Sequence, residues 1–131
     1  NELNEEVAEK VAVAAVKYSM LKVNPKMAIA FDIEESISLE GDSGPYLLYT
    51  YARCKSVLRK AISQVASSKY QVARLNEEET ALLRTFYRFE EVVTEAVKNL
   101  SPNLLCSFLF DLAQKFNLFY NKHKILGRGL K

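Results

Sequence analysis

Tryptophan is absent from these 131 residues, histidine occurs once, at His123, and cysteine twice, at Cys54 and Cys106, without CxxC spacing. One imidazole and two isolated thiols leave a zinc site short of ligands unless carboxylates supply them, so no metal site is expected. Both cysteines stand where a helical pattern takes small apolar residues, and each is read as a buried hydrophobe. No apolar run approaches the roughly 20 residues that span a bilayer, and no signal-peptide pattern opens the chain. The expected location is therefore cytoplasmic, with no membrane partner. With 49% hydrophobic and 26% charged residues, the composition is that of a folded domain and excludes disorder.

The most telling shortage is of one charge. Residues 43 to 76 contain no acid, yet carry Arg53, Lys55, Arg59, Lys60, Lys69 and Arg74, while residues 1 to 42 hold nine acids against four bases. A basic segment of this kind is either a solvated helix face or the footprint of a phosphate-backbone binder.

No segment alternates with period two, so strands are not expected, and only three prolines and four glycines interrupt the chain. Val7, Val11, Ala14, Tyr18 and Leu21 form one helical stripe that ends before Asn24-Pro25. Asp32 with Glu35 is a capping box for a short helix through Leu39. The loop Glu40 to Gly44 then leads into Pro45, which favours the first helical turn, with Ser43 or Asp42 as cap. That helix runs to about Ala66, with Ser67-Ser68-Lys69 as its exit. A third long helix starts at Asn76, with Glu79 completing a capping box, and places Leu82, Phe86, Phe89, Val93, Val97 and Leu100 on one stripe. Ser101-Pro102 caps a fourth, buried through Leu105, Phe108, Leu109, Leu112, Phe116 and Phe119. The expected fold is all-α, a bundle of about four long helices.

The run GDSG, residues 41 to 44, resembles the nucleophile loop of chymotrypsin-like proteases, but the likeness stops there. The protease loop has a further glycine before its proline, its fold is a pair of β-barrels, and His123 is the only base on offer. Ser43 is therefore read as a turn residue. Glu34, Glu35 and Glu40 are read as cap and dipole residues rather than as acid-base groups.

On a helix opening at Pro45, Tyr46, Tyr49, Arg53, Val57, Lys60 and Gln64 fall within about 80° of one another. Leu47, Tyr51, Cys54, Leu58, Ile62 and Val65 form the expected core stripe. The first face admits two readings. Its tyrosines stack on unpaired bases while Arg53 meets phosphate or a base edge, or they border the core with wet hydroxyls.

The stretch LEGDSGPYLLYTYARCKSVLRK, residues 39 to 60, resembles the start of the C-terminal anticodon-binding helical domain of arginyl-tRNA synthetases, a class I family. AVKYSMLKVNP at 15 to 25, RFEEVVTEAVKNLSPNLLCSFLFDLAQKFNLFY at 88 to 120 and KIL at 124 to 126 resemble further pieces of it, in the family's order. The resemblance implies an anticodon site at Tyr46, Tyr49, Arg53 and Tyr120; Lys55, Arg59 and Lys60 are expected from charge alone as phosphate contacts. It implies a helix and connector at 1 to 31 leading in from a catalytic domain, and an anticodon-binding helical domain at 32 to 131, incomplete at its C-terminal end. The implied partners are arginine-accepting tRNA and the catalytic domain of a parent arginine-tRNA ligase, which uses ATP and magnesium. HIGH-like and KMSKS-like signatures are absent, so this stretch by itself is expected to be inactive and without cofactor. The competing expectation is a helical protein-interaction module with no nucleic-acid role.

Overall fold

The computed structural model describes residues 2–65 and 74–125, and among these there are six helices and no strand. They are α1 (Glu2–Leu21), α2 (Ile33–Ile37), α3 (Gly44–Val65), α4 (Glu77–Tyr87), α5 (Phe89–Lys98) and α6 (Asn103–Lys122). The expected exit at 67 to 69 and the end of KIL at 126, with the tail beyond it, lie outside the described residues.

Helix α6 is the common support. It packs against α4, α5, α3 and α1, while α1 and α3 pack on each other and α2 bridges them. The α1–α3 crossing is close because Gly44 has no side chain: a Cβ there would lie 2.3 Å from the carbonyl oxygen of Ala14. The loop before α3 is held from α1. Tyr18 donates to Asp42 at 2.5 Å, and Lys22 reaches both Glu35 (2.7 Å) and the carbonyl of Asp42 (2.9 Å). Burial, followed by the bond to Asp42, pushes the Tyr18 phenol well above its usual range, so it stays a donor.

The starts of α2 and α4 follow local hydrogen-bond chemistry. Asp32 accepts from the Glu35 N–H at 2.9 Å, and Asn76 and Glu79 form a reciprocal capping box. Elsewhere the structure departs from the sequence reading. The expected helix from Asn76 to Leu100 is broken at Arg88, whose N–H donates to the carbonyl of Thr85 at 3.1 Å, three residues back, tightening the last turn of α4. No proline or glycine causes this break. The two pieces dock separately on α6, with Lys115 bonded to Thr85 (2.8 Å) and the Phe108 ring 5.6 Å from that of Phe89. Consequently the stripe does not stay buried: of its residues only Leu82 is inside, joined by Thr85 and Ala96 from outside the stripe, whereas Phe86, Phe89, Val97 and Leu100 are exposed.

Ser101 does not cap α6 with its side chain, which donates instead to the carbonyl of Asn99. The reason lies in how α5 ends. Leu100 takes a left-handed φ of 50°, Ser101 N–H returns to Ala96 O and Leu100 N–H to Val97 O, the paired bonds of a Schellman motif. The proposed core stripe of α3 is only partly covered, since Tyr51 and Leu58 are exposed. With Leu47, Leu48 and Cys54 from α3, Tyr51 lines an apolar groove of about 620 Å³ against α1, α4 and α6.

Candidate functional site

Ser43 is 1% exposed and fully engaged. Its hydroxyl donates to the carbonyl of Ser38 and accepts from the Tyr46 N–H at 3.1 Å, the work of an N-cap. His123 is held by Glu78 at 3.0 Å at the far end of α6, about 25 Å along that helix from Cys106, whose carbonyl lies beside Tyr18. Burial pushes both thiols, Cys54 and Cys106, upward, which disfavours their nucleophilic form. Among the described residues no group of three or more histidine, cysteine or acidic side chains is placed to hold a metal ion, and no helix is long and apolar enough to cross a membrane.

Pro45 and the Ser43 cap fix where α3 begins, and its helical phase turns Tyr46, Tyr49, Thr50 and Arg53 toward α6. The Arg53 guanidinium carbon lies 4.5 Å from the ring centroids of both Tyr49 and Tyr120, so the cation is sandwiched between a ring of α3 and a ring of α6. It also donates to the hydroxyl of Tyr49 and to Asn117 Oδ1, the latter at 2.8 Å. Tyr46 is half-buried, edge-on to Phe110 at 5.7 Å, and its hydroxyl accepts from Asn117 Nδ2 at 3.0 Å. Tyr49 and Tyr120 remain 42% and 37% exposed, leaving ring surface on the outside of the cluster.

The structure thus brings Tyr46, Tyr49, Arg53 and Tyr120 together, and the residue that joins them is one the sequence reading missed. Asn117 is 8% exposed and binds Arg53, Tyr46 and Thr50. A trace of it was legible: with Cys106 and Ala113 it shares the buried side of α6, where an amide is out of place unless it has partners.

The basic residues divide. Lys60 lies within about 20° of Arg53 around α3 and, with Tyr120, His123 and Lys124, borders a groove of about 290 Å³ next to the cluster. Lys55 and Arg59 point roughly 160° and 120° away from Arg53. Both are exposed, and Lys55 sits 5.9 Å from the Tyr51 ring.

The family model described as the DALR anticodon binding domain matches residues 47–129, which include Tyr49, Arg53, Asn117 and Tyr120; Tyr46 lies one residue before the match. The chain is similar to the arginine–tRNA ligase of Pyrococcus furiosus, at 39% identity over 95% of this chain and 21% of the relative. It is similar to that of Thermus thermophilus at 42% over 89% of this chain and 19% of the relative. Among solved structures, Thermus thermophilus arginyl-tRNA synthetase superposes with a TM-score of 0.78 at 38% identity, over 92% of this chain and 20% of that one. The chain spans about a fifth of the length of these relatives.

Proposed function

The chain belongs to the DALR anticodon binding domain family, and from that premise we propose that it receives the anticodon loop of arginine-accepting tRNA for an arginine-tRNA ligase of which it is one part. The observation that carries this is the Tyr49–Arg53–Tyr120 sandwich on the acid-free helix α3. Two exposed aromatic rings offer faces to unpaired bases, and a fixed cation between them offers hydrogen bonds to base edges or phosphate. Tyr46 joins the site through its hydroxyl edge, because its ring is packed on Phe110. Lys60 stands where a phosphate next to Tyr120 would pass, and Lys55 and Arg59 serve a more distant part of the RNA.

In this reading residues 1–31 lead in from the catalytic domain and residues 32–131 carry the anticodon site. Activation of arginine with ATP and magnesium, in the cytoplasm, belongs to the rest of the ligase, and this stretch alone is inactive.

Filter binding of the full-length ligase to arginine tRNA tests the assignment. Tyr49→Ala and Arg53→Ala are each expected to weaken binding by about tenfold or more, the worth of a lost base stack or charged contact. Affinity of the parent should also fall steeply as salt rises. Unchanged affinity in both variants removes the site, and a flat salt response favours an apolar protein interface instead.

A further inference from the structure

The hydrogen-bond polarity of the cluster is fixed from inside, by Thr50. Its buried hydroxyl donates to the carbonyl of Tyr46 one turn back, at 3.0 Å. A hydroxyl has one proton, so Thr50 meets the Asn117 amide as an acceptor. The amide atom 2.9 Å away is accordingly the donor Nδ2, and the amide oxygen is turned to Arg53 Nη1 at 2.8 Å. The second Nδ2 hydrogen goes to the Tyr46 hydroxyl oxygen at 3.0 Å. Tyr46 therefore accepts from Asn117, and its own proton points away from that amide. Among the described residues no acceptor takes it up. Tyr49 is in the same position, because its hydroxyl accepts from Arg53 Nη2. Arg53 has no acceptor at all, and these bonds occupy two of its five N–H groups.

We infer that Asn117 is the positioning residue of this site, and that the Thr50–Asn117 relay turns the protons of the Tyr46–Tyr49–Arg53 cluster outward, so that its outer face presents donors, which selects acceptor atoms of the RNA and disfavours its exocyclic amines. The acceptors in question are base carbonyls, unprotonated ring nitrogens and phosphate oxygens. An amine pointed at this surface meets donors that cannot turn around, because reversing Tyr46 requires reversing Asn117, which would set two donors face to face at Arg53. The inference rests on the anticodon-binding reading given above.

The test uses the full-length ligase carrying this sequence, with Tyr46→Phe, Asn117→Asp and Tyr49→Ala compared for Kd of arginine tRNA, aminoacylation kinetics and thermal melting. Tyr46→Phe keeps the ring and removes only the outward proton. Asn117→Asp keeps the size and the bond from Arg53, but accepts from Tyr46 and so draws its proton inward. Each is expected to raise Kd and the KM for tRNA by about tenfold, the cost of one hydrogen bond to a polar partner. The kcat at saturating tRNA is expected to stay within about twofold, as befits a lost binding contact. If Tyr46→Phe binds as the parent does, the donor surface is refuted. If Asn117→Asp lowers the melting temperature and kcat together with no change in KM, Asn117 is a core residue and the positioning role is refuted. Tyr49→Ala separates the two levels. Where it weakens binding and the other two do not, only this inference falls, and where it too binds as the parent does, the anticodon reading falls with it.

Discussion

Gly44 is the residue on which the α1–α3 crossing turns. Its missing side chain leaves α3 close enough to α1 for Tyr18 and Lys22 to hold the loop that sets the start of α3, and thereby the phase of Tyr46, Tyr49 and Arg53. Gly44→Ala puts a methyl group 2.3 Å from a backbone oxygen that no rotamer change can move. The expected cost is about 3 kcal/mol or more of stability, at the upper end for overpacking a fitted contact. Chemical denaturation of the variant checks it, and a midpoint unchanged from the parent would mean that the two helices separate freely. The other glycine of the loop, Gly41, works differently: its φ of 84° is a left-handed backbone that glycine adopts without cost, in open space.

At the scale of elements, α4 is fastened to the end of α6 by charge. Lys122 donates to Glu78 at 2.6 Å and His123 meets the same carboxylate at 3.0 Å, on a side chain only 14% exposed. The bond from Lys122, then that from His123, holds the Glu78 carboxyl down to about 2, from an ordinary value of 4.5. A carboxyl depressed in the folded state stabilises the fold fully above its unfolded value, and that contribution is lost as pH falls from about 4.5 toward 2. The melting temperature of Glu78→Gln should therefore lie below the parent's at pH 7 and converge with it near pH 2. A gap that is constant from pH 7 to pH 2 would assign the loss to packing rather than to ionisation. The same pairing raises the Lys122 ammonium, so its share persists below 10.5 and is lost only as pH rises beyond that.

At the scale of the whole molecule, few large side chains among the described residues are fully covered. The buried apolar set is Ala15, Tyr18, Leu82, Ala96, Cys106, Phe108 and Ala113, while the 620 Å³ groove between α1, α3, α4 and α6 opens apolar walls to solvent. An apolar surface of this kind takes up hydrophobic dyes. The 131-residue chain in isolation is expected to give a saturable rise in anilinonaphthalene sulfonate fluorescence while still melting cooperatively. A flat dye titration would show the groove closed in solution.

How much of this was legible in advance differs from residue to residue. The Asp32 and Asn76 caps, the stop before Asn24-Pro25 and the entrance at Pro45 were readable, because each depends on a side chain and backbone groups within four residues of it. The aromatic and basic face of α3 was readable too, from spacing alone. Its exposure was not: Tyr46 and Arg53 turn into the seam with α6, and the expected core stripe is only partly covered, with Tyr51 and Leu58 exposed. Asn117 lies 64 residues from Arg53 and 71 from Tyr46, a pairing that no local pattern carries. The sequence by itself determined the helical character, the caps at Asp32, Ser43 and Asn76 and the segregation of charge, since those depend on neighbours along the chain. The break at Arg88, the side of α3 that is buried and the polarity of the Asn117 relay were decided only by tertiary structure, since each depends on the surface α6 presents to the helix packed on it.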